Sequence, residues 1–463
     1  MSDTGANKDH ETSGEVIFRP YARLISVLGD QLISDKWIGV IELVKNSYDA
    51  DAESVQVVFK DYNSDHEPQT IEIRDDGIGM TKEDVLNNWM KPATPNKLNR
   101  KKRGKQRYTQ KKRVMQGDKG VGRFAIYKLG DYVELFTKAV GQQEVQLTLD
   151  FKEYADDSFV PSNHQDKFLD EIKNRWTVNT DAKEINEQSG TLIRISKLRN
   201  SWKYKDLKKL SNAFYRMMPP KLPDVTFKSD FEVDIIWNTR QYNEQHFALE
   251  GLMNIAPYYF EGSISSDGLL EATYKSPSRE KEIIINLFDP NDKGLKDYDI
   301  PNYPPFKKEF ITPKLNGDLF SHNKPNVGSF IFFYYGFDLK GGNLSKEDIK
   351  KLKETSVYLF RDNVRVYPYG EIGDDWLGFS KLRAEVRSNQ IFSYNDLIGF
   401  VFITQGDNPD LRDAADREGL MNVDGIRDEF IALVSSSLKT MKIEVDNDKT
   451  LSLIHISEPT RPY

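Results

Sequence analysis

Glu42, Asn46 and Asp49 stand at i, i+4 and i+7 of the stretch Ile41–Ala52, so on a helix they share one face. Ile41, Leu43, Val44 and Ala50 supply apolar surface on the other sides. A row of carboxylate, amide and carboxylate on an otherwise buried helix is costly to desolvate without partners, and the usual partners are water, a metal or a ligand. At this spacing Glu42 can hold a water and Asn46 can ligate Mg²⁺. Taken alone, the stretch fits equally well a surface helix whose polar stripe faces solvent.

Three further motifs follow. Asp75-Asp76-Gly77-Ile78-Gly79-Met80 comes directly after the strand-like run Thr70–Arg74. Gly117-Asp118-Lys119-Gly120-Val121-Gly122 opens a helical run from Arg123 to Leu129, and Gly190-Thr191 begins an alternating strand over Leu192–Ser196. A glycine turn entering a helix attracts anions through free N–H groups and the helix dipole. Lys119 and Arg123 add charge there and Asp118 partly opposes them; because the other motifs accompany this turn, phosphate is the ligand it favours.

These four motifs, in this order, resemble the GHKL superfamily: DNA gyrase B subunit, the ninety-kilodalton heat-shock chaperone, histidine kinases and MutL, with MORC proteins closest in style. A lone GxxGxG would be a weak signal; the ordered set is a strong one. The resemblance implies an N-terminal GHKL (Bergerat) α/β sandwich with a mixed sheet, and ATP and Mg²⁺ as cofactors. At Asp75 an ionised carboxylate would accept from the exocyclic amine of adenine and repel the guanine carbonyl. Gly77 and Gly79 would let the backbone pass close to the base. Met80 lies in the same motif, and Thr191 corresponds to the residue that supports the aspartate through water. Asp49 and Thr94 fall at nucleotide-contacting positions, and Lys97 matches a lid lysine that can neutralise phosphate charge. Gly117, Lys119, Gly120, Val121 and Gly122 would receive the phosphates. Glu42 would position and deprotonate the attacking water, and Asn46 would be the metal ligand. An N-terminal arm that crosses to a partner subunit occurs in relatives. Phe18–Tyr21 is the segment that could act this way, but packing on its own domain is the favoured reading.

Residues 81–116 read as a nucleotide lid whose chain is loop-like after Asn88, because Pro92 and Pro95 interrupt helix. Lys97–Arg113 places ten Lys or Arg in seventeen residues with no acid. Such a block repels itself until it meets an anion. It reads as a solvated lid surface, a triphosphate clamp or a DNA contact; Tyr108 is its sole aromatic, which gives interleaved base stacking little support.

Composition narrows the rest. The 463 residues can build two to three domains, and 38% hydrophobic with 30% charged residues fits a globular chain. No apolar run approaches the ~20 residues of a membrane span, and the polar stretch Met1–Ser13 lacks a signal-peptide core. A cytoplasmic protein is the simplest fit. Zero Cys excludes disulfides and thiolate zinc sites, and the six His show no ligand spacing. A net charge of −7 argues against a uniformly basic nucleic-acid binder.

In chain order, residues 1–14 read as a disordered tail and 15–218 as the ATP-binding domain, with Val16–Ile33 spaced for an amphipathic helix. Residues 152–188 read as a surface elaboration. Pro219-Pro220 marks a boundary, and residues 221–440 follow as a second α+β, transducer-like domain. Its expected strands include Phe231–Trp237, Glu282–Phe288, Ser329–Tyr335 and Phe400–Thr404. Its expected helices are Ser345–Leu352 and Val423–Leu438, and Asp289–Lys324 reads as a long loop. Tyr358–Pro368 alternates around an Asn turn. Asp413–Leu420 resembles the chaperone segment whose arginine reaches the terminal phosphate, which makes Arg417 the candidate, with Lys381, Arg383 and Arg387 as rivals and an interdomain salt bridge as the alternative. Residues 441–463 read as a tail outside the domains, its end resembling a translated cloning adapter.

The expectation is an Mg²⁺-dependent ATPase, a homodimer whose slow turnover drives lid and subunit closure, with a DNA-associated or phage-defence role or chaperone-like remodelling. A histidine kinase module would need a phosphoacceptor His on a helix pair, and only His10 precedes Glu42. A nucleotide-gated clamp without turnover would not need Glu42.

Overall fold

A computed structural model describes every residue outside 1–16, 33–34, 93–107, 116–123, 155–166, 180–183, 223–230, 243–248, 301–324, 340–343, 372, 381–382, 384–390, 413–418 and 458–463. Two sheets organise it.

The first sheet grows from strands whose alternate residues are apolar. In β1 (Ser54–Tyr62), Val55, Val57 and Phe59 are fully buried; β2 (Pro68–Asp75) adds Ile71 and Ile73. With β3 (Gly130–Lys138), β4 (Glu144–Asp150), β5 (Arg175–Asn179), β6 (Gly190–Leu198), β7 (Glu232–Trp237) and β8 (Arg240–Gln241) the order is β5-β4-β3-β6-β2-β1-β7-β8. The sheet is mixed, because β7 runs parallel to β1 while β2 and β6 pair antiparallel. Helices α1 (Leu24–Leu32), α2 (Lys36–Asp49), α3 (Ala125–Leu129) and α4 (Tyr204–Tyr215) share one apolar cluster with the inward side chains of this sheet.

The second sheet comprises β9 (Tyr258–Ile264), β10 (Leu269–Lys275), β11 (Glu280–Asn286), β12 (Phe330–Gly336), β13 (Val357–Arg361), β14 (Val364–Arg365) and β15 (Leu397–Ile403), ordered β11-β10-β9-β12-β15-β13-β14. Its central strands are apolar without alternation because both faces are covered. Phe332 and Tyr334 pack with the long helix α8 (Ile426–Ser457); Phe333 and Tyr335 pack with α5 (Leu249–Met253) and Leu352 of α7 (Lys346–Leu352). The whole is α+β, as expected. The Asn turn is there as well: Asp362 and Asn363 take φ of 50° and 67° between β13 and β14.

Several boundaries differ from expectation. The amphipathic helix starts at Leu24 rather than Val16, and Tyr21 instead bridges to Phe168. The first sheet does not stop at Pro219-Pro220, because the segment beyond it returns as β7 to cover the edge of β1. Arg175–Asn179, inside the expected elaboration, is edge strand β5. Within the expected 289–324 loop, Lys293–Asp297 forms a helix, α6. The expected tail from residue 441 is the second half of α8, in which Met441 and Val445 are core residues. Polar Lys442, Asp446 and Asp448 mask this apolar stripe in the sequence.

Glu444 shows why that half belongs to the fold. It is fully buried and accepts from Lys281, Tyr298 and Arg279 at 2.5–2.7 Å. Burial works against its ionisation, but those donors and charges outweigh it and hold its pKa below the usual range. The stability this contributes is present above the unfolded-state pKa and is lost as pH falls through the folded one. Glu444→Ala should therefore destabilise the chain by about 3–5 kcal/mol at neutral pH, and by progressively less as pH falls through the lowered folded pKa, as read by denaturant melts across the acid range.

Candidate nucleotide site

The site is assembled where the C-terminal half of α2 crosses the end of β2. Val40, Leu43, Val44, Ser47 and Tyr48 are buried on α2, so Ser47 is a polar member of the stripe that faces the sheet. Its hydroxyl donates to Asp75 Oδ2 at 2.8 Å. Asp75 closes β2 opposite Thr191 in the β6 register, and its Oδ1 accepts from the Gly77 N–H at 3.1 Å. Burial is the main influence on this carboxyl and, with Asp76 nearby, pushes its pKa up to about 6; Ser47, Gly77 and the Thr191 backbone oppose the rise.

The turn after Asp75 is fixed by close backbone approaches. A Cβ at Gly77 would lie 2.6 Å from the Ala50 carbonyl at the end of α2, where the Ile78 N–H already donates at 2.9 Å. Gly79 has φ of 64°, and a Cβ there would lie 1.9 Å from the Lys138 carbonyl. These glycines thus let the chain press against α2 and β3; the expected approach to a base is a separate matter. Met80 donates its N–H to Thr137 Oγ1 at 2.9 Å, and that hydroxyl lies 3.1 Å from Thr191 Oγ1. Asp75, Gly77, Gly79, Met80 and Thr191 are therefore brought together.

On α2, the expected polar row divides by depth. Glu42 is 3% exposed and lies 3.5 Å from Lys45 Nζ, Asp49 is half-buried and Asn46 is exposed. Exposed amide oxygen beside carboxylates suits a hard divalent cation that retains waters. Among the described residues no cluster of three His, Cys, Asp or Glu forms a dedicated metal cage, and no helix is long and apolar enough to cross a membrane.

Thr94, Lys97, Gly117, Lys119, Gly120, Val121, Gly122, Arg417 and its rivals Lys381 and Arg387 lie outside the described residues. Arg383 donates to the Ile391 carbonyl at 3.2 Å, a contact within the second unit. The described end of the basic block is docked on α2. Arg113 is buried, donates to the Tyr48 and Ala52 carbonyls at 3.2 and 2.6 Å, and sits 4.7 Å from the Tyr48 ring centre. A cation at the helix C-terminus complements its dipole, a use that none of the three readings of the block anticipated.

Sequence reasoning missed Ser47 and Thr137. Both had a signal: Ser47 interrupts the Val40, Leu43, Val44 stripe, and Thr137 ends the inward alternation of Val133 and Leu135 on β3.

Residues 34–191 match the family model described as histidine kinase-, DNA gyrase B-, and HSP90-like ATPase. Residues 34–191 form a GHKL domain. Endoplasmin homologs from Catharanthus roseus and Hordeum vulgare are each 29% identical over 140 residues, covering 25% of this chain and 16% of theirs. The ATPase morc-1 of Caenorhabditis elegans is 47% identical over 47 residues, 10% of this chain and 5% of its own. The chain thus spans a small part of these curated relatives.

In the GHKL domain Asp75 ionises at a cost, since its folded pKa lies above the unfolded value. The stability tied to its proton is complete below the unfolded pKa and is lost as pH rises through about 6. The nucleotide-free Asp75→Asn variant should therefore melt higher than the parent at pH 8, by an amount corresponding to about 1–3 kcal/mol, with the difference vanishing by pH 4 in thermal scans.

Proposed function

We propose that the protein is an Mg²⁺-dependent ATPase of the GHKL type. The observation that carries this reading is Asp75: a buried carboxylate held by uncharged donors, its remaining acceptor capacity suited to a purine amine. Thr191 and Thr137 supply hydroxyls beside it. Asp49, Gly77, Gly79 and Met80 line the purine and ribose side, while Gly117 to Gly122 with Lys119, and Thr94 and Lys97 from the lid, take the phosphates. Mg²⁺, when bound, neutralises phosphate oxygens, and Asn46 would hold it. Glu42 orients the attacking water and accepts its proton, a role that requires reach first and pKa second. Arg417 from the second unit stabilises charge on the transferring phosphoryl group. Because the site then spans two units, turnover is slow until lid and subunits close, and the working form is a cytoplasmic homodimer.

A DNA-associated role is supported by the block Lys97–Arg113 and by the short similarity to an ATPase named morc-1. The endoplasmin similarity supports protein remodelling instead.

Two experiments test this reading. By calorimetry and phosphate release, Glu42→Gln should bind ATP with Mg²⁺ at near-parental affinity and lose at least about a hundredfold in kcat. Asp75→Asn should weaken binding itself, and parental affinity there would remove the adenine assignment. For the DNA role, binding of a duplex should fall steeply between 50 and 200 mM salt and disappear when the cations of 97–112 are replaced by Gln; a flat salt response would favour remodelling.

A further inference from the structure

The turn after β14 carries a side chain of the second unit into the core of the GHKL domain. Val364 and Tyr367 are buried within the first unit's apolar cluster. The backbone is tied there: Arg365 N–H donates to the Met217 carbonyl at 2.9 Å, and Tyr367 Oη donates to the Ala213 carbonyl of α4 at 2.8 Å. Trp37 of α2 meets the Tyr367 ring edge-on, with centres 6.1 Å apart. The ring is therefore a fixed wall beside α2.

Two cations lean on it. Arg365, whose side chain has no exposed surface, places its guanidinium 4.7 Å from the ring centre and is itself held by Glu371 and the Tyr369 carbonyl. Lys45 places its ammonium 5.3 Å from the same centre and 3.5 Å from Glu42 Oε1, one turn back on the helix. A lysine has four rotatable bonds and a compact charge, so an ion pair on one helix does not by itself select one geometry. A fixed aromatic face that attracts the ammonium does select one.

Resting on the reading of Glu42 as the base, we infer that Lys45 is a positioning residue for the Glu42 carboxylate, and that Tyr367 is the means by which the second unit sets it. Lys45 orients the carboxylate and balances its charge at the depth where Glu42 is nearly sealed from water. Withdrawal of the Val364–Tyr367 segment removes the wall that holds Lys45, and the carboxylate loses its orientation. The second unit thus acts on hydrolysis from inside the GHKL domain, separately from any arginine it contributes to the phosphates.

The test measures kcat and the Kd of a non-hydrolysable ATP analogue in the full chain. Lys45→Met should lower kcat about tenfold with Kd within twofold of the parent, and Lys45→Arg should recover most of the loss. Tyr367→Leu should lower kcat in the same way, and Lys45→Met/Tyr367→Leu should be no slower than Lys45→Met alone. Should Tyr367→Leu fail to fold, phenylalanine and tetrafluorophenylalanine at 367 keep the shape while stripping the ring's negative face; kcat should then fall from the first to the second. On a Glu42→Gln background Lys45→Met should cost nothing further. Additive losses in the double variant, equal kcat for the two phenylalanines, or a tenfold weaker Kd for Lys45→Met with unchanged kcat would each overturn the inference; the last would make Lys45 a phosphate contact. Glu42→Gln turning over at the parental rate would instead bring down the base assignment, which separates the two failures.

Discussion

A carboxylate taken out of water must be held by something, and at Asp75 the holders are neutral: the Ser47 hydroxyl, the Gly77 amide and the Thr191 backbone. Neutral donors reduce the cost of ionisation without removing it, so the group stays poised near the upper end of the carboxylate range. The surrounding architecture follows from keeping those donors in place. Ser47 needs α2 laid across the sheet end, which its apolar stripe enforces. Gly77 needs a turn tight enough to touch Ala50, and Thr191 needs β6 in register with β2. Loosening any of these leaves a buried charge with fewer partners, the most costly state available to it.

The same helix carries the second half of the proposed chemistry. Glu42 lies on the buried side of α2 and Asn46 on the open side, so the helix separates by depth the carboxylate proposed to handle water from the amide proposed to hold Mg²⁺. Both ends of α2 are braced from elsewhere. Arg113 spends its charge on the C-terminal carbonyls, and Tyr367 packs against Trp37 near the N-terminal end and against Lys45 one turn after Glu42. A helix clamped from both units offers a physical route by which the proposed hydrolysis would be coupled to their arrangement.

Much of this was legible in the sequence because the informative residues are close together in the chain. Glu42, Asn46 and Asp49 on one helix, and Asp75, Gly77 and Gly79 in one turn, announce themselves by spacing alone. Ser47 and Thr137 were legible only as breaks in apolar patterns, since neither type is distinctive. What could not be read was long-range. β7 lies far from β1 in sequence, and nothing in Glu232–Trp237 names its neighbour. The second half of α8 reads as a tail in the sequence because buried Glu444 and Asp448 look like surface residues until Arg279, Lys281 and Tyr274 are seen to face them. Tyr367 carried no signal at all, since an aromatic in a turn is ordinary until its neighbours are known.

The claim on which this account turns is that an ionised Asp75 recognises an amino group on a purine. The most direct measurement is a comparison of ATP with inosine triphosphate, which differs by a carbonyl where adenine has its amine, by calorimetry with Mg²⁺ at pH 7.5. The account predicts binding of ATP and at least about hundredfold weaker binding of the inosine nucleotide, the loss expected when a buried acceptor meets another acceptor. Equal affinity for the two would contradict it.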